Sequence, residues 1–330
     1  LSFCRIFLGI VAALLLAASP ARAVGFQYGS APDGDDPSLE LAIWYPSDAK
    51  LTAQPVGLFT QDVAFYGPVT GSNLPLIVIS HGTGGSAAGH YDTALALAEA
   101  GFVVVAMSHT GDNYKDRDAS FSRHNFANRS RHIARVIDFM LNIWTGRGHL
   151  DPARIGLFGH SAGGATTLIV VGGTPDFERF GQYCQDHPEA WDCTQMRQTG
   201  VPPDPDEKLV WTHDARIKAA AIAAPAVGSV FTTEGLAAVG VPVQLWRAAD
   251  DVITPNQWNA DIIRDALPKP PEDHLVPHAG HFDFLAPCND ALANVAPAIC
   301  ESAPGFDRAS FHQDMNKALV AFFTAQLPSP

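Results

Sequence analysis

The stretch "RIGLFGHSAGGATT", Arg154 to Thr167, sets one serine between two glycines where an apolar run ends and an alanine-rich run begins. "RIGLF" has the length and composition of a buried strand, and "SAGGATTLIVVG" from Ser161 reads as a helix. Gly159-His160-Ser161-Ala162-Gly163 is therefore a strand-turn-helix corner. At such a corner the serine is held in a strained conformation, and side chains two positions to either side collide with the neighbouring strand and helix. Gly159 and Gly163 remove that collision. The turn also aims the first amides of the following helix at the space above Ser161, where partial positive charge receives an oxyanion. Ser161 is thus the candidate nucleophile and the Ala162 N–H the first candidate oxyanion donor. A serine hydroxyl is a poor nucleophile alone, so a base, a carboxylate and a second donor must come from elsewhere in the chain.

Strand-length apolar runs recur on both sides of this corner: "LELAIWYP" from Leu39, "LPLIVISHG" from Leu74, "FVVVAMSH" from Phe102, "IKAAAIAAPA" from Ile217 and "VPVQLWRAAD" from Val241. Several are apolar at consecutive positions, as in strands covered on both faces. Helical spacing appears between them in "YDTALALAEAG" from Tyr91, "NRSRHIARVIDFML" from Asn128, "PNQWNADIIRDAL" from Pro255 and "FHQDMNKALVAFFTAQL" from Phe311. Strand and helix alternate from about Leu74 onward, which predicts an α/β fold with a mostly parallel central sheet and helices on both faces. The strand at Leu39 is expected to join as an antiparallel extension. From Gly172 to about Arg216 the rhythm fails: prolines, glycines, aromatics and two cysteines follow no clean period. This insertion reads as a lid over the carboxyl ends of the strands. Its Phe177, Phe180, Trp191 and Trp211 suit either an apolar substrate wall or packing of the lid on the body.

The second donor is expected in "HGTGG", His81 to Gly85, directly after the Leu74 strand, where glycines let backbone approach a ligand closely. Thr83 N–H is the candidate. "RAADDVITP" puts Asp250 and Asp251 at the end of the Val241 strand, and "DHLVPHAGHFDFLAPC" supplies His274, His278 and His281. His160 is expected to point away from Ser161 and to pack or hydrogen-bond beneath the turn, and His81 reads as structural. His109 and Asp112, after another strand, read as rim residues, either touching substrate or merely solvated.

The 330 residues suit one domain with an insertion better than two domains. Arg5, the apolar "IFLGIVAALLLAA" and the small residues of "SPARA" have the build of an export signal over residues 1–23, leaving 24–330 as the working domain. The apolar run is short for a membrane anchor, and no stable anchor is expected after its removal. An exported chain, periplasmic or secreted, meets an oxidising compartment, and the remaining Cys184, Cys193, Cys288 and Cys300 form two sequence-local pairs. Four cysteines allow three connectivities; 184 with 193 and 288 with 300 is the preferred one. Neither pair has the two-residue spacing of a zinc knuckle, so no metal is expected. Net charge −13 without a basic stripe excludes nucleic acid as a partner. "DGDD", Asp33 to Asp36, lacks the twelve-position calcium loop and reads as a solvated turn.

With "HGTGG", "GHSAGG", "RAADDVITP" and "HAGHFDFL" in this order, the chain resembles the α/β-hydrolase superfamily from about Leu39 to Leu327. "SHGTGG" and the His-Phe loop followed by Cys288 are similar to exported dienelactone-hydrolase-like proteins related to the platelet-activating-factor acetylhydrolases. Dienelactone hydrolases proper carry a cysteine nucleophile where this chain has Ser161, so their lactone substrate does not carry over. The resemblance implies a Ser-acid-His order along the chain, with Ser161 as nucleophile, His281 as base and Asp251 as its partner. Asp251 is preferred for its spacing to Pro255, with Asp250 as the alternative. His281 follows Gly280 and precedes Phe282, Phe284 and Leu285, which anchor a loop; His278 is the reserve, and His274 is expected to end a strand. The implied activity is hydrolysis of small-molecule carboxylic esters, short-chain or lipid-like, through an acyl-enzyme with no cofactor. An amidase or peptidase on the same triad, or a binding protein on a hydrolase scaffold, are the competing readings; no propeller repeat accompanies the first, and no triad member is missing as the second would require.

Overall fold

The computed structural model describes residues 23–199 and 209–329. Residues 1–22, almost all of the expected export segment, lie outside the described residues, as does part of the insertion. The elements in chain order are β1 (Ala23–Asp33), β2 (Asp36–Ser47), β3 (Thr52–Val56), β4 (Phe59–Phe65), β5 (Leu74–Ser80), α1 (Tyr91–Glu99), β6 (Val103–Ser108), α2 (Arg123–Asn142), β7 (Leu150–His160) and α3 (Ala162–Val170). There follow α4 (Phe177–Asp186), α5 (Trp191–Thr199), β8 (Ile217–Ala223), α6 (Thr233–Leu236), β9 (Val243–Ala248), α7 (Ala260–Ala266), β10 (Glu272–Val276), α8 (Asp290–Val295) and α9 (Arg308–Gln326).

The strands form a sheet in the order β10-β9-β8-β7-β5-β6-β2-β1-β4-β3. From β5 to β10 every neighbour pair is parallel, and β2 joins β6 antiparallel, as the alternation along the chain predicts. Consecutive apolar residues along the central strands serve two separate cores. Leu76 and Val78 of β5 and Val103 and Val105 of β6 bury against α2 and α3, whereas Ile77 and Ile79, Val104 and Ala106 bury against α1 and α9. Side chains that alternate across a strand and find helices on both sides leave no polar face to show a period of two.

Several sequence expectations need correction. Two strands of the N-terminal meander, β3 and β4, and the whole of β1 had no strong apolar run to announce them. All three carry exposed residues among the buried ones, and β4 alternates buried and exposed over Phe59–Val63. The helix expected at Pro255 begins as a single 3₁₀ turn at Asn256–Trp258 and becomes α-helical only at Ala260. α2 starts five residues before the expected Asn128, where Ser122 caps it by accepting from the Asn125 N–H. His274 lies inside β10 rather than at its end. Asp33 is not solvated: it is 2 % exposed and takes the Arg131 guanidinium at 3.0 Å and His132 at 3.1 Å. The insertion is less irregular than its composition suggests, since α4 and α5 form within it and the Cys184–Cys193 disulfide joins them. The second disulfide links Cys288 and Cys300.

Candidate active site

β7 delivers Ser161 to the carboxyl edge of the sheet, and the serine takes φ 55° and ψ −119° before α3 begins. A non-glycine residue held there is strained, and the neighbours show why the chain tolerates it. A Cβ on Gly159 would sit on the Gly163 carbonyl, and one on Gly163 would sit on the Ser80 carbonyl of the adjacent strand. The turn is locked by Ser161 N–H donating to Ala223 at 2.9 Å and by the Ser161 carbonyl accepting from Gly164 and Ala226.

His281 Nε2 lies 3.0 Å from Ser161 Oγ, and His281 Nδ1 lies 2.8 Å from Asp251 Oδ2. All three residues are nearly buried, with 9 % of Ser161, 7 % of Asp251 and 5 % of His281 exposed. The Asp251 carboxylate is fully occupied: Oδ1 accepts from the Ile253 and Thr254 amides at 2.9 and 2.7 Å, and Oδ2 also accepts from Thr254 Oγ1 at 2.9 Å. Burial works to raise its pKa, yet the adjoining His281 and the Thr254 hydrogen bonds outweigh it and hold the carboxyl below its ordinary value. With Asp251 ionised, the imidazole keeps its proton on Nδ1 and presents a bare Nε2 to the serine. Asp250 and His278 instead sit in solvent 3.8 Å from each other. They take no part in this line.

The loop carrying His281 is braced from two sides. Asp283, 1 % exposed, accepts from the Gly280 amide at 2.7 Å and from Arg308 Nε at 3.0 Å, and Arg308 also donates to the carbonyls of Ile299, inside the Cys288–Cys300 loop, and of Glu301, just after it. From beneath, His160 Nε2 donates to the His281 carbonyl at 3.2 Å. Burial drives the His160 pKa well down, with the neighbouring His281 in the same direction, so this support stays neutral. His81 is also structural: Nδ1 donates to the Gly82 carbonyl and Nε2 accepts from the His109 amide.

The rim expectation for His109 and Asp112 fails, because both are wholly buried. They belong to a polar network around Arg129, also fully buried. Arg129 Nη1 meets Asp112 at 2.7 Å, Nη2 donates to the His81 carbonyl, and Nε donates to Thr166 Oγ1 at 3.1 Å. Asp112 in turn accepts from the Gly84 amide at 3.0 Å, and Thr166 Oγ1 donates to the Ala162 carbonyl at 2.8 Å. One guanidinium therefore ties the loop bearing Thr83 to the helix turn bearing Ala162. Arg129 carried no sequence signal, being one of four arginines in the amphipathic helix α2.

Ser161, Ala162 and Thr83 line one cleft together with Phe121, Phe126, Phe177, Phe180, Trp191, Asp192, Ala226, Val227 and Thr254. Neither the Thr83 nor the Ala162 amide donates to a backbone carbonyl among the described residues. α4 and α5 supply Phe177, Phe180, Trp191 and Asp192, so the insertion walls the cleft opposite the serine turn.

Two family models match parts of the chain: the prolyl oligopeptidase family over residues 90–181 and platelet-activating factor acetylhydrolase, isoform II, over residues 48–130. The solved structure of a ferulic acid esterase from Streptomyces cinnamoneus superposes with a TM-score of 0.65 at 19% sequence identity, covering 96% of this chain and 94% of that one. Comparison with curated proteins yields no match.

Proposed function

We propose that this chain, an α/β-hydrolase by fold and similar in its N-terminal part to the platelet-activating factor acetylhydrolases, is a serine esterase that cleaves small carboxylic esters through an acyl-enzyme. The observation that carries the reading is the hydrogen-bonded line from Ser161 through His281 to Asp251, opening onto an aromatic-walled cleft. Ser161 Oγ attacks the ester carbonyl while His281 Nε2 takes its proton, and the same imidazolium then protonates the leaving alkoxide. Asp251 fixes the tautomer and offsets the charge that His281 gains. The tetrahedral oxyanion is held by the amides of Thr83 and Ala162; losing one such donor typically costs about 3 kcal/mol of barrier. Water repeats the sequence to free the acid.

Residues 172–216 serve as the lid of this site, pinned by the Cys184–Cys193 disulfide. Two disulfides and the family likeness support an exported chain, and among the described residues no helix is long and apolar enough to cross a membrane.

Replacing Ser161 by Ala and following p-nitrophenol release from the acetate and butyrate esters tests the nucleophile: turnover falls to background in a folded variant, and undiminished turnover refutes the assignment. Asp251→Asn loses far more activity than Asp250→Asn; the reverse order overturns the choice of acid. The match to the prolyl oligopeptidase family favours a second reading, amide hydrolysis. A matched p-nitrophenyl ester and p-nitroanilide pair separates the two.

A further inference from the structure

Of the polar residues that line the cleft, Ser161 and Thr83 serve the chemistry and Thr254 holds Asp251, which leaves Asp192 without a task. Asp192 is only 4 % exposed. Its Oδ1 accepts from the Cys193 amide at 2.9 Å, and among the described residues no arginine, lysine or histidine forms an ion pair with it. The same cleft wall carries the largely apolar side chains of Phe121, Phe126, Phe177, Phe180, Trp191 and Val227, with Phe121 and Trp191 packed edge-to-face at 5.5 Å; the Tyr183 phenol, pushed up to about 12 by burial and then by the charge of Asp192, is a further polar group near the carboxyl. Burial pushes its carboxyl up to about 6, so at neutral pH it is chiefly an ionised group without a counter-charge. An unpaired carboxylate in an apolar wall is costly, and a fold keeps one where a ligand completes it. The adjacent Cys193 is bonded to Cys184 on α4, which holds the carboxyl at the wall.

We infer that Asp192 is a substrate-recognition residue, accepting a hydrogen bond from a hydroxyl or ammonium group borne on the apolar part of the ester that occupies this cleft. The inference rests on the esterase reading and narrows it: the substrate has an apolar, ring-sized body and a proton donor at its far end. Plain acyl esters fill the aromatic wall and leave the carboxylate unmet. A donor that meets it recovers the lost solvation in a water-poor setting, where a hydrogen bond to a charged group is worth about 10- to 100-fold in affinity.

The test compares kcat/KM for methyl 3-phenylpropanoate and 2-phenylethyl acetate with that for their 4-hydroxy and 4-aminomethyl ring derivatives, so that the acyl and alcohol sides are both sampled. In the wild-type chain one series prefers a donor-bearing ester by about 10-fold or more. Asp192→Leu brings that ratio to about one. Asp192→Asn, which keeps a neutral acceptor, retains part of a preference for hydroxyl and loses a preference for ammonium, which distinguishes the two donors. Ratios near one in both wild-type series, or a ratio that Asp192→Leu leaves in place, overturn the inference while the plain esters still report an esterase. Absence of Ser161-dependent turnover on every ester removes the esterase reading, and this one with it. Were Asp192 only an acidic residue favouring the first turn of α5, both variants would lower the thermal midpoint and leave the ratio unchanged.

Discussion

A carboxyl buried to receive a ligand leaves a mark on stability that is measurable with no ligand at all. Asp192 is pushed from 3.8 up to about 6 by burial, so the folded chain binds this proton more tightly than the unfolded chain does. Its contribution to stability is therefore full below about pH 3.8 and is lost as pH rises through about 6. At about 1.4 kcal/mol per unit, a shift of about two units corresponds to about 3 kcal/mol at most. Asp251, Asp92 and Asp33 are shifted the other way, below their ordinary value, and cost stability on acidification. The wild-type curve alone mixes both signs, and the difference between wild type and Asp192→Asn isolates the one residue. Urea unfolding with the disulfides intact, at intervals from pH 4 to pH 8, supplies that difference. The Asn variant is more stable than wild type at pH 8, by up to about 3 kcal/mol, and the advantage shrinks toward pH 4. A difference that does not change with pH, or an Asn variant that is the weaker protein at pH 8, refutes the picture of an uncompensated carboxylate.

Arg129→Met leaves Asp112 buried without its counter-charge and lowers stability by about 3–5 kcal/mol. Adding Asp112→Asn recovers part of that loss in a double-mutant cycle, and strict additivity would show that the two groups are not coupled. Because the same guanidinium holds the His81 carbonyl and Thr166, the variant that still folds loses kcat with KM little changed. Gly163→Ala drives a methyl group into the Ser80 carbonyl, and displacing the serine turn by as little as about 1 Å costs about 100-fold in kcat; a fully active Ala variant would mean the turn has slack.

What the sequence made readable was whatever repeats or is sterically compulsory. The parallel half of the sheet was legible because strands covered on both sides are buried at every position, and β5 and β6 are apolar up to their closing serines. The serine corner was legible because only glycine fits at 159 and 163. β1, β3 and β4 escaped notice because a one-sided meander needs few apolar residues, and its pattern is diluted by turns.

The polar interior was illegible for a different reason. His109 and Asp112 follow a strand in a segment that looks like any solvated rim, and what buries them is Arg129, which arrives from α2 with Asn125, while Ser120 of the preceding loop completes the shell around Asp112. Each of these residues is favoured at the surface when considered singly, and only their mutual satisfaction makes burial affordable. Asp33 with His132 and Arg131, and Asp283 with Arg308, follow the same rule. Asp192 is the exception that gives the rule its use. It shares the burial of those carboxylates and, among the described residues, has no cation beside it, and it lines the same cleft as Ser161. Where every other deep carboxylate named here is paired by the chain itself, the one left open beside the candidate nucleophile is the position at which a substrate has something to add.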